Sequence, residues 1–267
     1  MRYFVFSDVH GCLSRLTEAL RRAGYNPADG SHKLLFLGDA FDKKSPERDD
    51  FGVYEFLQEG IRNKKLIWVL GNHDTMLVSV IRSGKMNKQS EETVRALAQG
   101  IARGLDPAAP AVAGARCLEI LKAHGVDLFI EENGLDYFET ERYVFTHGIV
   151  PMDRSAGRYD PDWRNEPAHS KTWNGCRSGN GMELGLRGIR IPDKILVCGH
   201  VGTYYGHLAE RYPNLPRNGP DWKRLAAKVK KTPSLFGIYE GDGVIGVDGN
   251  CHNTGVLNVL VVDDVPV

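Results

Sequence analysis

One repeated pattern in the N-terminal part of the chain strongly limits the folds available to it. Short apolar runs at residues 3–6, 33–37 and 66–70 alternate with segments whose apolar residues recur at helical spacing. Leu13, Leu16 and Leu20 show that spacing after the first run. Alternating strands and helices are typical of βαβ units, in which helices cover a mainly parallel sheet. The sequence therefore predicts an α/β fold.

Polar residues with metal-binding side chains follow five of the apolar runs. In α/β proteins, ligands gather at the carboxyl ends of the strands, and glycine leaves room for other groups to approach. Carboxylates and imidazoles with one amide suit Mn, Fe or Zn, and the thiolates of a structural zinc site are missing. The five turns are Asp8-Val9-His10-Gly11, Gly38-Asp39, Gly71-Asn72-His73-Asp74, His147-Gly148 and Gly199-His200.

The turn after the second run carries two carboxylates, Asp39 and Asp42. Asp39 follows a glycine directly at the end of an apolar strand, where it is well placed to hold a metal ion. We expect Asp39 to bridge two metal ions and the other functional residues to be arranged around it.

Composition limits the partners and the compartment. The 267 residues include 34 Lys and Arg and 34 Asp and Glu, so the formal net charge is zero, which argues against a general nucleic-acid binder or a membrane-surface protein. No apolar run approaches the ~20 residues that span a bilayer, and no signal-peptide pattern opens the chain. The five cysteines are scattered, which indicates reduced thiols. We expect a cytoplasmic protein without a membrane partner and see no strong case for nucleic acid.

The rest of the chain departs from the regular alternation. Residues 1–267 are interpreted as a single domain with a helical insertion at about 84–140, interrupted near 104–114 by Pro107 and Pro110. Residues 151–194 are predicted to be irregular, and 243–262 to form two antiparallel strands. The basic run at 223–231 suggests a short helix with a solvated face. The histidines outside the five turns are expected on the surface or in loops: His32, His124, His169, His207 and His252.

Taken in order, the five turns resemble the signature of the calcineurin-like metallophosphoesterase superfamily, D-x-H-G, G-D-x-x-D, G-N-H-[ED], H-G and G-H. The chain is most similar to bacterial and phage serine/threonine-type protein phosphatases and to symmetrical bis(5'-nucleosyl)-tetraphosphatases. The resemblance spans residues 8–200. It implies the metallophosphoesterase fold, in which two mixed β-sheets are packed as a sandwich and flanked by helices.

The resemblance also implies two divalent metal ions, with Mn²⁺ as the first choice and Fe or Zn as alternatives. A metal-bound hydroxide would attack the phosphorus directly, while the metals neutralise the phosphoryl oxygens. His73 would protonate the leaving alkoxide, and Asp42 would accept a hydrogen bond from His73. The implied ligands are Asp8, His10 and Asp39 for one metal and Asp39, Asn72, His147 and His200 for the other.

Departures from the family pattern leave the substrate open. Lys43 stands where the phosphatases have an arginine, and lysine cannot make the two-pronged phosphate contact. Asp42 favours the phosphatases, whereas Leu70 and Asp74 match the tetraphosphatase form L-G-N-H-D. Arg177 lies in a stretch that resembles the W-N-x-x-R of phage-type phosphatases. The candidates for contacting the substrate are Asn72, Lys43 and Arg177.

The leading hypothesis is a dinuclear-metal phosphoesterase that hydrolyses phosphate monoesters and resembles serine/threonine protein phosphatases. Its substrate would be a phosphorylated protein. The alternative is a symmetrical dinucleoside tetraphosphate hydrolase acting on a small nucleotide. A third hypothesis, a binding scaffold with a degenerate site, would require a missing ligand, and all six ligand positions are present.

Overall fold

Two five-stranded β-sheets pack against each other at the centre of the protein. The computed structural model describes residues 1–229 and 232–267. A further pair of short strands forms a separate ribbon. In chain order the strands are β1 (Arg2–Phe6), β2 (His32–Phe36), β3 (Leu66–Val69), β4 (Gly134–Leu135), β5 (Tyr137–Glu139), β6 (Tyr143–Thr146), β7 (Met152–Asp153), β8 (Arg158–Tyr159), β9 (Ile195–Cys198), β10 (Tyr239–Gly241), β11 (Val244–Gly246) and β12 (Leu260–Asp263).

Helices flank the two sheets. No helix in the described ranges is both long and apolar enough to cross a bilayer. The helices are α1 (Leu13–Arg22), α2 (Asp50–Arg62), α3 (Asn72–Ser83), α4 (Lys88–Leu105), α5 (Ala115–Ala123), α6 (Val126–Asn133), α7 (Lys171–Cys176), α8 (Gly181–Leu186), α9 (Tyr204–Arg211), α10 (Pro220–Val229) and α11 (Cys251–Thr254).

Both sheets are mixed. The first has the order β12-β1-β2-β3-β4, in which β1 to β4 run parallel and β12 is antiparallel to β1. The second has the order β10-β11-β9-β6-β5, with a parallel centre and antiparallel strands at both edges. Parallel strands end at the same edge of a sheet, so the turns after them are brought together there. The predicted α/β sandwich of two mixed sheets is confirmed.

The alternation of side chains along β1 explains why its sequence is apolar throughout. Tyr3 and Val5 are buried between the two sheets, whereas Phe4 and Phe6 are buried beneath the helices. Successive side chains of a strand point to opposite faces, and here both faces are covered. β2 follows the same rule, with Leu35 in the core between the sheets. The continuous apolar runs thus reflect burial on two sides.

Helices α4, α5 and α6 occupy residues 88–133, within the range expected for the helical insertion, with a break at 106–114. That this segment is an insertion stays a prediction. The single-domain organisation stays a prediction. The irregular assignment of residues 151–194 is wrong, because α7 and α8 form there. Their N-caps are Ser170 and Asn180, whose side chains accept hydrogen bonds from the backbone of the first turns. Of the basic run, Lys230 and Lys231 lie outside the described residues.

The expectation for the C-terminal strands needs one correction. The segment 243–262 does contain two strands, β11 and β12, but they do not pair with each other. β11 is antiparallel to β10 in the second sheet, and β12 is antiparallel to β1 in the first. The chain between them crosses from one sheet to the other, which brings Asp248, Asn250 and His252 to the edge where the strand-end turns meet.

Substituting Leu35→Ala should reduce the free energy of unfolding by about 2–5 kcal/mol, because it opens a cavity in the fully buried core between the sheets. Urea denaturation would measure the change. Leu105→Ala is the matched control, since Leu105 is 72% exposed and its truncation should change little. Equal effects of the two substitutions would contradict the packing described here.

Candidate active site

The turns at the strand ends have an unusual backbone conformation. Asp8, His10, Asp39, Asp42 and His200 all have positive φ angles, between 45° and 73°. Such angles are uncommon for residues other than glycine and are found where the surrounding structure enforces them. The turn after β1 is bonded to the turn after β2: the N–H of Asp8 donates to the carbonyl of Gly38 at 2.9 Å, and that of His10 to the carbonyl of Asp39 at 3.0 Å. The strain is therefore concentrated at the predicted site.

Two glycines allow the turns after β2 and β3 to touch. A Cβ on Gly38, whose φ is +82°, would lie 2.2 Å from the nitrogen of Gly71. A Cβ on Gly71 would lie 2.1 Å from Oδ1 of Asp39. Neither position has room for a side chain without moving the backbone. The glycines of G-D and G-N are thus required by the close approach that places Asp39 beside the start of α3.

Asp8, His10 and Asp39 form the first cluster of ligand atoms. Their candidate ligand atoms lie within 4.8 Å of one another. His10 Nε2 is 3.8 Å from Asp8 Oδ1 and 3.7 Å from Asp39 Oδ2. His10 Nδ1 donates to the carbonyl of Phe41 at 2.6 Å, because a carbonyl can only accept. Nε2 is therefore left with a lone pair directed at the two carboxylates.

Asp39, His147 and His200 form the second cluster, also within 4.8 Å. His147 Nε2 is 3.4 Å from Asp39 Oδ1 and 3.2 Å from Oδ1 of Asn72. Its Nδ1 donates to the carbonyl of Leu37 at 2.5 Å, which fixes the ring as in the first cluster. The two oxygens of Asp39 thus face different clusters, Oδ2 towards His10 and Oδ1 towards His147. This is the arrangement expected of a bridging carboxylate.

His73 and Asp42 lie side by side next to the clusters. His73 Nδ1 is 3.8 Å from Asp42 Oδ2, and neither atom has a hydrogen-bond partner in the described part of the chain. His73 Nε2 is 4.0 Å from Asp39 Oδ2. Catalytic hydrogen bonds are often long before substrate binds, so this spacing suits a proton donor and its carboxylate partner. The structure brings these two residues together, and their roles as acid and partner stay a prediction.

The predicted substrate contacts fall in two different clefts. Lys43 lines a cleft of about 300 Å³ together with Asp8, His73 and His200. Arg177 lines a larger cleft of about 780 Å³, which Asn72 also lines. Arg177 is only 2% exposed and bonds to Asp136 and Asn174. Lys43 and Arg177 therefore line different clefts.

The sequence interpretation missed the structural part played by Asp74. Its buried carboxylate accepts hydrogen bonds from the N–H groups of Gly71, Asp39 and Ala40 at 2.8, 3.0 and 2.9 Å. It thereby joins the turn after β2 to the first turn of α3. An acidic residue three positions after a helix N-cap is a known capping signal, and this signal could have identified Asp74.

The expectation that His252 is only a loop residue is also wrong. Its ring packs edge-on against His10, with centroids 5.1 Å apart, and it lines the smaller cleft with Asp248. His32 is likewise buried, and it packs against Phe4. The adjacent turn at Asp248 is recognisable in the sequence, but the approach of His252 to His10 depends on the crossing between the sheets.

Burial and charge give the clustered groups different proton affinities. Burial raises the pKa of Asp8 to about 7, lowers the pKa of His10 to about 3 and lowers that of His200 to about 4. Burial alone would raise the pKa of Asp39, but the neighbouring histidines hold it below its usual range. Burial would likewise lower the pKa of His147, but the charges of Asp39 and Asp8 raise it to about 10. The imidazoles of His10 and His200 are thus neutral ligands for a divalent cation beside the ionised Asp39, whereas His147 must lose a proton before it can bind one.

The affinity for Mn²⁺ should increase with pH, because metal binding must displace protons from the ligands. In the metal-free protein His147 is protonated below about pH 10 and Asp8 below about pH 7. Metal binding therefore displaces one proton between these two pH values and two protons below about pH 7. We expect about a tenfold change per pH unit for each proton displaced. Titration calorimetry at several pH values, in two buffers of different ionisation enthalpy, would count the protons. An affinity that does not change with pH would contradict this description.

Substituting Asp74→Asn should destabilise the protein and reduce its metal content, although Asp74 is not a proposed ligand. The amide would turn an N–H₂ group towards backbone donors, at a cost of about 1–3 kcal/mol for each donor left unpaired. Thermal melting and elemental analysis would measure the two effects. Asp193→Asn is the control, since Asp193 is exposed. Full metal content with unchanged stability would show that Asp74 does not hold the two turns together.

Comparison with known proteins places this geometry in a family context. A family profile described as calcineurin-like phosphoesterase matches residues 1–204. The asymmetrical bis(5'-nucleosyl)-tetraphosphatase PrpE of Oceanobacillus iheyensis is 29% identical over 103 residues, which make up 36% of this chain and 40% of that protein. The chain thus spans less than half the length of this curated relative.

Solved structures share the fold at low sequence identity. A crystal structure of a candidate diadenosine tetraphosphatase aligns with 99% of this chain over 93% of its own length, with a TM-score of 0.50 and 20% identity. A serine/threonine phosphatase from Saccharomyces cerevisiae aligns with 76% of this chain over 62% of its own length, with a TM-score of 0.42 and 14% identity. The first of these shows a common fold, and the second is too distant to support an argument.

The family profile covers most of the chain, including all five turns at the strand ends. The residues it spans include the two clusters that share Asp39. These findings show that the chain belongs to the calcineurin-like phosphoesterases, a family of hydrolases that depend on two metal ions.

Proposed function

We propose that this chain hydrolyses phosphate monoesters of alcohols, as serine/threonine-type protein phosphatases do, and that its substrate is a phosphorylated protein. The observation that carries the proposal is the pair of His73 and Asp42, 3.8 Å apart and beside the ligand clusters. The pair supplies a proton donor where a leaving oxygen would depart. A protonated leaving group is needed most when that group is an alkoxide.

The donor set fits two divalent metal ions. We assign Asp8 and His10 to one ion, Asn72, His147 and His200 to the other, and Asp39 to both. When bound, the two ions activate water for attack on phosphorus and neutralise the charge of the phosphoryl oxygens. The mixed carboxylate, imidazole and amide ligands favour Mn²⁺, with Fe or Zn as alternatives.

The remaining residues bind the substrate and move the proton. Because His73 Nδ1 faces Asp42, Nε2 is the atom that delivers a proton to the leaving oxygen. Asp42 Oδ2, 3.8 Å from Nδ1 in the structure, would accept a hydrogen bond from it when the site closes on the substrate and so orient the ring. Lys43 attracts the phosphate as a point charge from the smaller cleft. Asn72 and Arg177, which line the larger cleft, contact the phosphate, with the guanidinium held in place by Asp136.

The nature of the leaving group distinguishes the two candidate functions. A serine or threonine phosphate releases an alkoxide, which is a strong base and needs a proton as the ester bond breaks. A dinucleoside tetraphosphate releases a nucleotide phosphate, which is a weak base and can depart without one. An acid such as His73 with a carboxylate partner is therefore more useful for hydrolysing the monoester than for hydrolysing the dinucleotide.

Dinucleoside tetraphosphate hydrolysis is the second candidate, and two observations favour it. The curated relative carries that activity in its name. The cleft of about 780 Å³ beside Asn72 is within the usual size of small-ligand sites and could accept a nucleoside. The name of the relative specifies asymmetrical cleavage, whereas the sequence pattern suggested symmetrical cleavage. Symmetrical cleavage yields two nucleoside diphosphates, and asymmetrical cleavage yields a triphosphate and a monophosphate.

Substituting His73→Asn should reduce kcat for a phosphoserine peptide by about 10²–10⁴-fold, the usual contribution of a general acid. The loss should be much smaller for p-nitrophenyl phosphate, whose leaving group is a weak base. Metal content, measured by elemental analysis, should not change. His124→Asn is the matched control, since His124 is exposed on the surface.

The same preparation should be tested with diadenosine tetraphosphate, and the products should be separated by chromatography. A higher kcat/KM for the dinucleotide than for the phosphopeptide would replace the first candidate by the second, and the products would identify the symmetry of cleavage. Equal losses of His73→Asn on the peptide and on p-nitrophenyl phosphate would refute the role of His73 as an acid.

A further inference from the structure

We propose that Thr93, on α4 of the helical insertion, is a positioning residue that aims the carboxylate of Asp42 at His73. The inference rests on the proposed function, because it concerns the proton donor of that reaction. It also provides a catalytic reason for the insertion, for which the sequence suggested no role.

The hydroxyl of Thr93 lies between a cation and the carboxylate. Thr93 is fully buried, and its Oγ1 donates to Asp42 Oδ1. The same Oγ1 accepts a hydrogen bond from Nη2 of Arg48 at 2.5 Å. A guanidinium can only donate, so the single hydrogen of the hydroxyl is available to Asp42. In the structure Oγ1 therefore accepts from Arg48 and donates to Asp42.

This contact determines which oxygen of Asp42 is available to the histidine. Thr93 occupies Oδ1, whereas Oδ2 has no hydrogen-bond partner within residues 1–229 and 232–267. Oδ2 is the oxygen that faces His73 Nδ1 at 3.8 Å. Holding one oxygen fixes the rotation of the planar carboxylate about its bond to Cβ. Without Thr93 the carboxylate could turn away from His73.

A second residue of α4 holds the backbone of Asp42. The side-chain amide of Gln89 donates to the carbonyl oxygen of Asp42, a residue whose φ is 73°. Gln89 and Thr93 are four positions apart, so they lie on the same face of α4. Together they fix both the main chain and the carboxylate of Asp42.

Arg48 is held in place by two carboxylates, so its contact with Thr93 does not depend on Thr93 alone. Its Nε donates to Asp50 Oδ2 at 2.7 Å, and its Nη1 donates to Glu92 Oε2 at 3.0 Å. Asp50 is buried at the first turn of α2. The contacts run from Asp50 of α2 through Arg48 and Thr93 to Asp42. In this way α4 of the insertion holds the carboxylate that faces the proton donor His73.

The test compares Thr93→Val, which keeps the shape but removes the hydroxyl, with Thr93→Ser, which keeps the hydroxyl. Thr93→Val should lower kcat for a phosphoserine peptide about tenfold, the size expected for one hydrogen bond to a charged group, and should change hydrolysis of p-nitrophenyl phosphate by less than about twofold. Thr93→Ser should restore most of the activity on the peptide. KM and metal content should not change.

Thr140→Val is the matched control. Thr140 is also fully buried, and its Oγ1 donates to the carboxylate of Asp264 at 2.8 Å, outside the two clefts. Thr140→Val should reduce the melting temperature by about as much as Thr93→Val does, without a selective loss of activity on the peptide. If Thr93→Val and Thr140→Val lower both activities equally, Thr93 is merely structural and the proposal is wrong.

Two further measurements distinguish this inference from the proposed function. In the double variant Thr93→Val with Asp42→Asn, activity on the peptide should equal that of Asp42→Asn alone, because Thr93 acts through Asp42. Additive losses would overturn the positioning role.

Long-range ¹H–¹⁵N spectra of the metal-free protein should show changed ring signals of His73 in Thr93→Val and unchanged ones in the control Thr140→Val. If His73→Asn is selective for the peptide and Thr93→Val is not, the function stands and this inference fails; if neither is selective, both fail.

Discussion

The site depends on one constraint, which is that the two oxygens of the buried Asp39 carboxylate face two different groups of ligands. Its Oδ2 faces His10 and its Oδ1 faces His147, so one side chain has to lie between groups carried by two different sheets. This requires the turns after β2 and β3 to approach within a distance that only Gly38 and Gly71 permit. The N–H of His73 donates to the same carboxylate at 2.9 Å, which adds a further constraint on its orientation. The positive φ angles of the neighbouring residues are the conformational cost of this arrangement.

Buried groups that do not touch the reacting atoms maintain this geometry. Asp74 binds three backbone N–H groups and holds the two turns together, and the carbonyls of Phe41 and Leu37 orient His10 and His147. The proposed role of Thr93 extends the same principle to the proton donor. Each of these contacts is made to a turn or side chain that carries a proposed ligand or acid, and its hydrogen bonds fix an orientation that would otherwise be free to change.

Much of the fold and of the candidate site could be predicted from local sequence patterns, and the elements and contacts that the sequence did not predict lack such a pattern. The strands with their terminal Asp8, Asp39, His147 and His200 were predictable because apolar runs and short motifs are encoded by adjacent residues. The helices at 171–176 and 181–186 were missed because they are short and start at capping side chains within a polar segment. His252 and Thr93 were missed because each meets its partner, His10 or Asp42, across a long stretch of chain with no motif to indicate the contact.

The sequence by itself determined the α/β class, the order of the strand-end turns and the residue types available to bind metals and move a proton. These follow from the period of apolar residues and from side-chain chemistry, which are local properties. Only the tertiary structure decided that Asp39 faces both clusters, that Arg177 is buried against Asp136 in a cleft separate from that of Lys43, and that α4 lies against Asp42. Those contacts depend on how sheets and helices pack over long separations in the chain, and packing is a property of the whole fold.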